Sequence, residues 1–326
     1  MRRSNFGSVW KHHYTRLPEM PANVLPLPYA DVSKEAIGVF LIFDRFDDVP
    51  STGIEDWVVK SACWARRSWL HNTDAVELGI PLKFYVQESI KDRVRPLLAE
   101  YGIGGKDIIY FDASDFYETR SLHFDGAGAK QCAIYSDAQF ADYEWVLQID
   151  ADMFMARPPG CEGVYPFFDF FINRTEALSH WACVHLHGPK RAGELQWPVQ
   201  QPSGTRDAWY QLAGEMVNRN IDSGSMFTGL SAAITAFRAK HLFGNDHERL
   251  QWMSLAGRAL QSDEGLFGLM DFAGIPIWGI MNQMRLSGVW GVQDLHRVRE
   301  AGEFYLAHMG LPQEWDWRAD IGVEDV

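Results

Sequence analysis

Four short apolar runs, spaced by stretches of helical pattern, constrain this 326-residue chain more than any other feature. The first, Ala36-Ile-Gly-Val-Phe-Leu-Ile-Phe43, is nearly continuous in apolar residues, the pattern of a strand buried on both faces. The others fall at residues 81–86, 107–111 and 145–149. Between them, residues 54–72, 90–101 and 129–142 read as helices, the second stopping near Gly102. Within 54–72 the expected inward positions are Trp57, Val58, Cys63, Trp64 and Leu70. Strands alternating with helices imply an α/β fold: a mostly parallel sheet flanked by helices on both faces. In such sheets ligands bind beyond the carboxyl ends of the strands. Asp44-Arg-Phe-Asp-Asp48 and Asp150-Ala-Asp152 both occupy such ends.

The rest of the chain is less regular. Residues 1–34, punctuated by Pro18, Pro21, Pro26 and Pro28, read as an irregular arm. Residues 156–225 are rich in Pro, Gly, Trp and His and are expected to form long loops with a helix near 207–219. An insertion of this length is more often a lid or a binding surface than idle chain. Residues 226–237 should give a turn and a strand, 246–260 and 263–272 helices, and 275–278 a short edge strand. Residues 35–318 are thus expected to form one domain, with halves at 35–155 and 156–318, followed by an acidic tail at 319–326.

A formal net charge of −13 argues against a protein that takes its affinity from nucleic-acid phosphates, which demands a basic face. Cys63, Cys132, Cys161 and Cys183 lie far apart without C-x-x-C spacing. That suits a reducing cytoplasm and offers neither a zinc site nor a disulfide framework. No apolar run reaches the roughly 18 residues of a membrane span, and no signal peptide opens the sequence. The expected location is therefore cytoplasmic, with no transmembrane segment.

Two carboxylates one small residue apart, directly after an apolar strand, are costly near a core unless a counter-charge is present. A hard divalent cation provides one. Mn²⁺ or Mg²⁺ prefers carboxylate oxygens and keeps positions open for substrate phosphates. The spacing lets one Asp face a nucleotide while the other reaches the metal. The alternative is a strand-end pair that caps a turn or the next helix.

In this setting the sequence resembles the GT-A glycosyltransferases, most closely those similar to glycogenin and the bacterial galactosyltransferases of its family. The motifs stand in order: Lys130 opening a helical segment; Val146-Leu-Gln-Ile-Asp150-Ala-Asp152; Ser223-Gly-Ser-Met-Phe-Thr-Gly229-Leu-Ser231 before Ile234-Thr-Ala-Phe237; Ser262-Asp263-Glu264; and Tyr305-Leu-Ala-His308-Met-Gly310. After the histidine the chain runs Leu311-Pro-Gln-Glu-Trp315, without the family's lysine.

The resemblance implies a GT-A, Rossmann-like fold and transfer of a sugar from a nucleotide-diphosphate sugar (UDP- or GDP-linked) to a carbohydrate or other hydroxyl acceptor. It implies Mn²⁺ or Mg²⁺ held by Asp150, Asp152 and His308. Phe43 and Asp44 would lie at the nucleotide, Asp125 and Gly229 near the donor sugar, and Lys130 beside the leaving diphosphate. Asp263 or Glu264 would orient the sugar or the acceptor, and the resemblance favours retention of anomeric configuration.

Each residue also has a plainer reading: Lys130 as a solvated helix-start lysine, His308 as a histidine bonded to a backbone carbonyl, and Asp263 and Glu264 as an acidic first turn behind a Ser262 N-cap. His185 and His187 would share a face if they lie on one strand. Trp181, Trp197, Trp209 and Trp315 are candidates for acceptor stacking or for core. Two rival functions fit a related pattern. A sugar nucleotidyltransferase normally carries a Gly-rich loop after its first strand, where this chain has Asp44-Arg-Phe-Asp-Asp48. A carbohydrate-binding protein without catalysis would not need the acidic pair.

Overall fold

A computed structural model describes residues 36–43, 56–112, 134, 137–157, 161–174, 181–183, 186–191, 226–230, 233–243, 277–279, 287–290 and 304–308. The elements are β1 (Ala36–Ile42), α1 (Asp56–Asn72), β2 (Leu82–Gln87), α2 (Lys91–Glu100), β3 (Ile108–Phe111), β4 (Trp145–Ile149), β5 (Met153–Ala156), α3 (Phe167–Arg174), β6 (Trp181–Cys183), β7 (Leu186–Arg191), β8 (Met226–Leu230), β9 (Ile234–Arg238), α4 (Ala239–Phe243), β10 (Ile277–Gly279), β11 (Ser287–Trp290) and β12 (Tyr305–His308). Short 3₁₀ turns precede α2, β3 and β4.

Seven strands form the central sheet in the order β10-β6-β9-β4-β1-β2-β3. The pairs β1–β2, β1–β4, β2–β3 and β6–β10 are parallel, whereas β9 runs antiparallel to both β4 and β6. All four expected strands are present, and β10 lies at an edge as its short apolar run implied. The mixed α/β architecture, with a mostly parallel sheet flanked by helices, is the expected fold class. Every residue of β1 is buried, which is what an apolar run without alternation requires.

One face of the sheet carries Ala36, Phe40, Ile42, Leu82, Phe84, Val86, Trp145, Leu147, Ile149, Ile234 and Ala236 into a core with Val59, Ala62, Cys63, Ala65 and Trp69 of α1, Val94 and Leu98 of α2, and Phe167, Phe168 and Phe171 of α3. The opposite face is buried too, at Ile37, Val39, Leu41, Tyr85, Val146 and Phe237. There Tyr85 stacks on Phe111 with ring centroids 4.3 Å apart and leans on Phe140 at 5.4 Å.

Helix α2 stops where its sequence says it must. Gly102 takes φ +72°, the Gly102 amide donates to the Ala99 carbonyl and the Ile103 amide to that of Leu98. This pair of bonds is the Schellman ending, which needs a residue at ease in the left-handed region.

Two expectations need correction. The span of α1 is as expected, and its inward face in part: Cys63 is buried and Val58, Trp64 and Leu70 pack partly buried against the core, but Trp57 is 46% exposed. The buried positions are Val59, Ser61, Ala62, Cys63, Ala65, Ser68, Trp69 and Asn72. Residues 129–142 do not form one continuous helix. Ile134 is helical, but Asp137 is extended and its side chain accepts from the Gln139 amide, starting a separate 3₁₀ turn at Ala138–Phe140. An Asx-type bond of this kind competes with helix propagation.

Helix α3 and strands β6 and β7 were not anticipated in the loop-rich region, nor was β5 just before it. The helices expected at 207–219, 246–260 and 263–272 lie outside the described residues. Among the described residues no helix is long and apolar enough to cross a membrane.

Candidate active site

The central strands β1 and β4 run parallel with Phe40 opposite Ile149, so Phe43 and Asp150 leave the sheet at the same edge. β6 is aligned with them through β9, Cys183 pairing with Thr235 and Thr235 with Gln148. It too exits at this edge, toward β7. These are the carboxyl ends at which parallel sheets bind ligands.

Asp150 is held by its backbone on both sides. Its amide donates to the Ala233 carbonyl at 2.8 Å, and its carbonyl accepts from the Met153 amide at 3.1 Å. The second bond closes a turn over residues 150–153. The chain then enters β5, which belongs to a separate three-stranded sheet ordered β11-β12-β5. The acidic pair therefore occupies the turn that carries the chain from the central sheet into a second sheet. Asp150 and Asp152 are both partly buried there, while Met153 behind them is fully buried.

Strand β12 runs antiparallel to β5 with His308 opposite Met153, and β11 lies parallel to β12 with Trp290 opposite His308. The backbone thus brings His308 level with the residue after Asp152, although the two positions are far apart in sequence. Gly229 stands opposite His187 in the antiparallel pair β7–β8, and the chain beyond β8 soon reaches Ala233, the partner of Asp150. Phe43, Asp150, Asp152, Gly229 and His308 lie among the described residues, Gly229 in the separate two-stranded sheet β7–β8. Lys130, Asp44, Asp125, Asp263 and Glu264 lie outside the described residues. His187 is the second residue of β7, and His185 lies outside the described residues.

The donor set suits a hard cation. Two carboxylates sit at a part-exposed sheet edge, with a histidine position brought alongside by strand pairing, and oxygen donors of this kind are those that Mn²⁺ and Mg²⁺ select. Among the described residues no group of three His, Cys, Asp or Glu side chains forms a cation cluster. His308 is placed through its backbone alone.

Sequence reasoning missed the residues that hold this turn from behind. The Trp69 indole N–H donates to the Met153 carbonyl at 3.1 Å, the Asn72 amide to the Met155 carbonyl at 2.8 Å, and the Met155 amide to Ser68 Oγ at 3.1 Å. The available signal was the spacing of Ser61, Ala65, Ser68 and Asn72, which is one stripe of a helix. The seam continues past the helix. The Tyr165 amide donates to the Asn72 carbonyl, the Asp74 amide to the Tyr165 carbonyl, and Asp74 accepts from the amides of Phe168 and Asp169, each at 2.8 Å. These last two bonds satisfy first-turn donors of α3. Cys63, on the same helix, is a buried free thiol. Burial pushes it up to about 12 against the lowering effect of Arg66, so it is an inert packing residue.

No family model matches the chain, and no curated protein matches it. Among solved structures, the mannosyltransferase Ktr4p from S. cerevisiae in complex with GDP is similar at 10% identity and a TM-score of 0.43, covering 84% of this chain and 77% of that one. Mouse xyloside xylosyltransferase 1 is similar at 11% identity and a TM-score of 0.44, covering 85% and 100%. The galactosyltransferase LgtC with donor and acceptor sugar analogues is similar at 13% identity and a TM-score of 0.39, covering 88% and 91%.

Proposed function

We propose that this chain is a GT-A glycosyltransferase that moves a sugar from a nucleotide-diphosphate sugar to a hydroxyl acceptor, using a divalent cation. The observation that carries the reading is the placement of Asp150 and Asp152 in the turn between two sheets, with His308 brought opposite Met153 by the pairing of β12 with β5. Asp150, Asp152 and His308 would hold Mn²⁺ or Mg²⁺. When bound, the cation supplies Lewis-acid stabilisation of charge on the diphosphate.

The chain's own residues do the rest. Phe43 and Asp44, at the exit of β1, flank the nucleotide. Gly229 leaves room for the donor sugar beside the backbone, and Asp125 meets its hydroxyls. Lys130 places a positive charge where negative charge grows on the leaving group. Asp263 or Glu264 orients the sugar or the acceptor hydroxyl. If one of them takes the acceptor's proton as a base, the anomeric configuration inverts; the resemblance favours retention, with the carboxylate on the opposite face. Residues 156–318 carry the acceptor side.

Calorimetry with UDP and with GDP, with and without Mn²⁺, tests the core of this reading, followed by a nucleotide-sugar hydrolysis panel in Mn²⁺. The expected result is nucleotide binding that requires the cation, and turnover of one sugar nucleotide that EDTA abolishes. Full turnover by Asp152→Ala, or turnover indifferent to EDTA, would overturn it.

A further inference from the structure

Among the described residues, strand β5 meets another strand at only one of its two edges. In an antiparallel pair, successive residues alternate between facing the partner strand and facing away. Met153 and Met155 share one of these settings, and their backbone groups bond to α1 and to the turn at Asp150. The Met153 amide donates to the Asp150 carbonyl, and the Met153 carbonyl accepts from the Trp69 indole. The Met155 amide donates to Ser68 Oγ, and its carbonyl accepts from the Asn72 side chain. Helix α1 therefore supplies side-chain donors and an acceptor where a neighbouring strand would otherwise lie.

Ser68, Trp69 and Asn72 are all fully buried. Polar groups on the core face of a helix are unfavourable unless bonded; the Ser68 hydroxyl donates to the Ala65 carbonyl within α1, and each of the three residues also makes one bond to β5. A one-residue slip of β5 would break them together and would move His308 off Met153. Asp152 is joined directly to Met153, and Asp150 is tied to it by the turn bond. The grip of α1 on β5 thus fixes the backbone of both carboxylates relative to β12.

We propose that Ser68, Trp69 and Asn72 are positioning residues that set the cation affinity of the acidic pair by locking the register of β5. This rests on the reading of Asp150 and Asp152 as cation ligands. Metal sites lose affinity when the shell supporting their ligands loosens.

The test is direct Mn²⁺ binding to the whole chain in the presence of UDP or GDP, followed by calorimetry and by the electron paramagnetic resonance signal of unbound Mn²⁺. Trp69→Phe keeps a ring against Phe167 and Phe168, which pack on Trp69 with centroids at 4.7 and 6.1 Å, and removes the N–H. Ser68→Ala removes a different bond to the same strand and serves if the first variant folds poorly. Each should weaken Mn²⁺ binding about tenfold, within the usual range for outer-shell partners. Val94→Ala, in the core at α2, should lower the thermal midpoint while leaving Mn²⁺ affinity unchanged. Wild-type affinity in both α1 variants, with Asp152→Asn deficient, would overturn the positioning role while sparing the cation site. Weakening in Val94→Ala in proportion to its lost stability would overturn it as well. A wild-type chain that binds no Mn²⁺ with either nucleotide would remove the cation reading and this proposal together.

Discussion

Asp74 and Phe168, ninety-four positions apart, are joined by a 2.8 Å hydrogen bond from the Phe168 amide to Asp74 Oδ1, and the Asp169 amide meets the other carboxylate oxygen at the same distance. One carboxylate thus closes the start of α3 from a different part of the chain. Burial raises its pKa from 3.8 to about 6, outweighing the backbone bonds that lower it, and Asp169 adds to the rise. Between those values the folded chain binds more protons than the unfolded one. The Asp74 contribution is therefore full below about pH 4 and is lost as pH rises through about 6. Two pKa units correspond to about 3 kcal/mol. Urea unfolding of wild type and Asp74→Asn across pH 4 to 7 should show the wild type losing about that much relative to the variant.

Arg66 ties α1 to the β2–β3 edge of the sheet. Its Nε donates to the Leu82 carbonyl at 2.6 Å, its guanidinium meets Asp107 at 3.3 Å, and its cationic end lies 5.6 Å from the centre of the Phe84 ring. Lysine cannot reproduce this forked set of bonds. Arg66→Lys should cost about 1–2 kcal/mol in denaturant unfolding, more than Asp107→Asn, because the backbone bond at Leu82 is lost as well.

Tyr85 donates to Asp137 at 2.9 Å from a buried phenol. Burial and the neighbouring Asp137 hold that phenol well above its usual value of 10.0. Its contribution is present below pH 10 and falls as the solution becomes more alkaline. Tyr85→Phe should be about 1 kcal/mol less stable at neutral pH and lose stability less steeply above pH 10, as followed by tyrosinate absorbance and circular dichroism.

At the proposed cation site, Asp150→Asn and Asp152→Asn should each weaken Mn²⁺-dependent nucleotide binding by tenfold or more, while leaving the thermal midpoint within about 1 kcal/mol equivalent of wild type. His308→Gln should weaken it less, since a neutral nitrogen ligand is replaced by a neutral oxygen donor that suits a hard cation. Calorimetry in Mn²⁺ with UDP or GDP reads all three.

The strands were the most legible part of the sequence. A parallel strand covered on both faces has to be apolar throughout, and runs such as 36–42 and 145–149 have no other comfortable place. The extent of α1 was legible for the same reason of pattern, and its inward face in part: Cys63 is buried as expected, whereas Trp57 is exposed and the buried Ser68 and Asn72 serve the backbone of β5, a need that apolar pattern alone does not show. Likewise the Asp150–Asp152 motif was visible as spacing after a strand, whereas the crossing into a second sheet depends on β12, far downstream. The antiparallel insertion of β9 beside β4 is equally non-local.

The pairing of β5 with β12 has a kinetic side. Nearly half the chain separates Met153 from His308, and contacts this distant form late because a long loop must close first. During synthesis β5 emerges with α1 already available at one edge and nothing at the other. An open strand edge invites pairing with other chains. Chains ending before residue 305 should therefore aggregate more readily than the whole chain, and the edge that completes the acidic turn would be the last part of this region to mature.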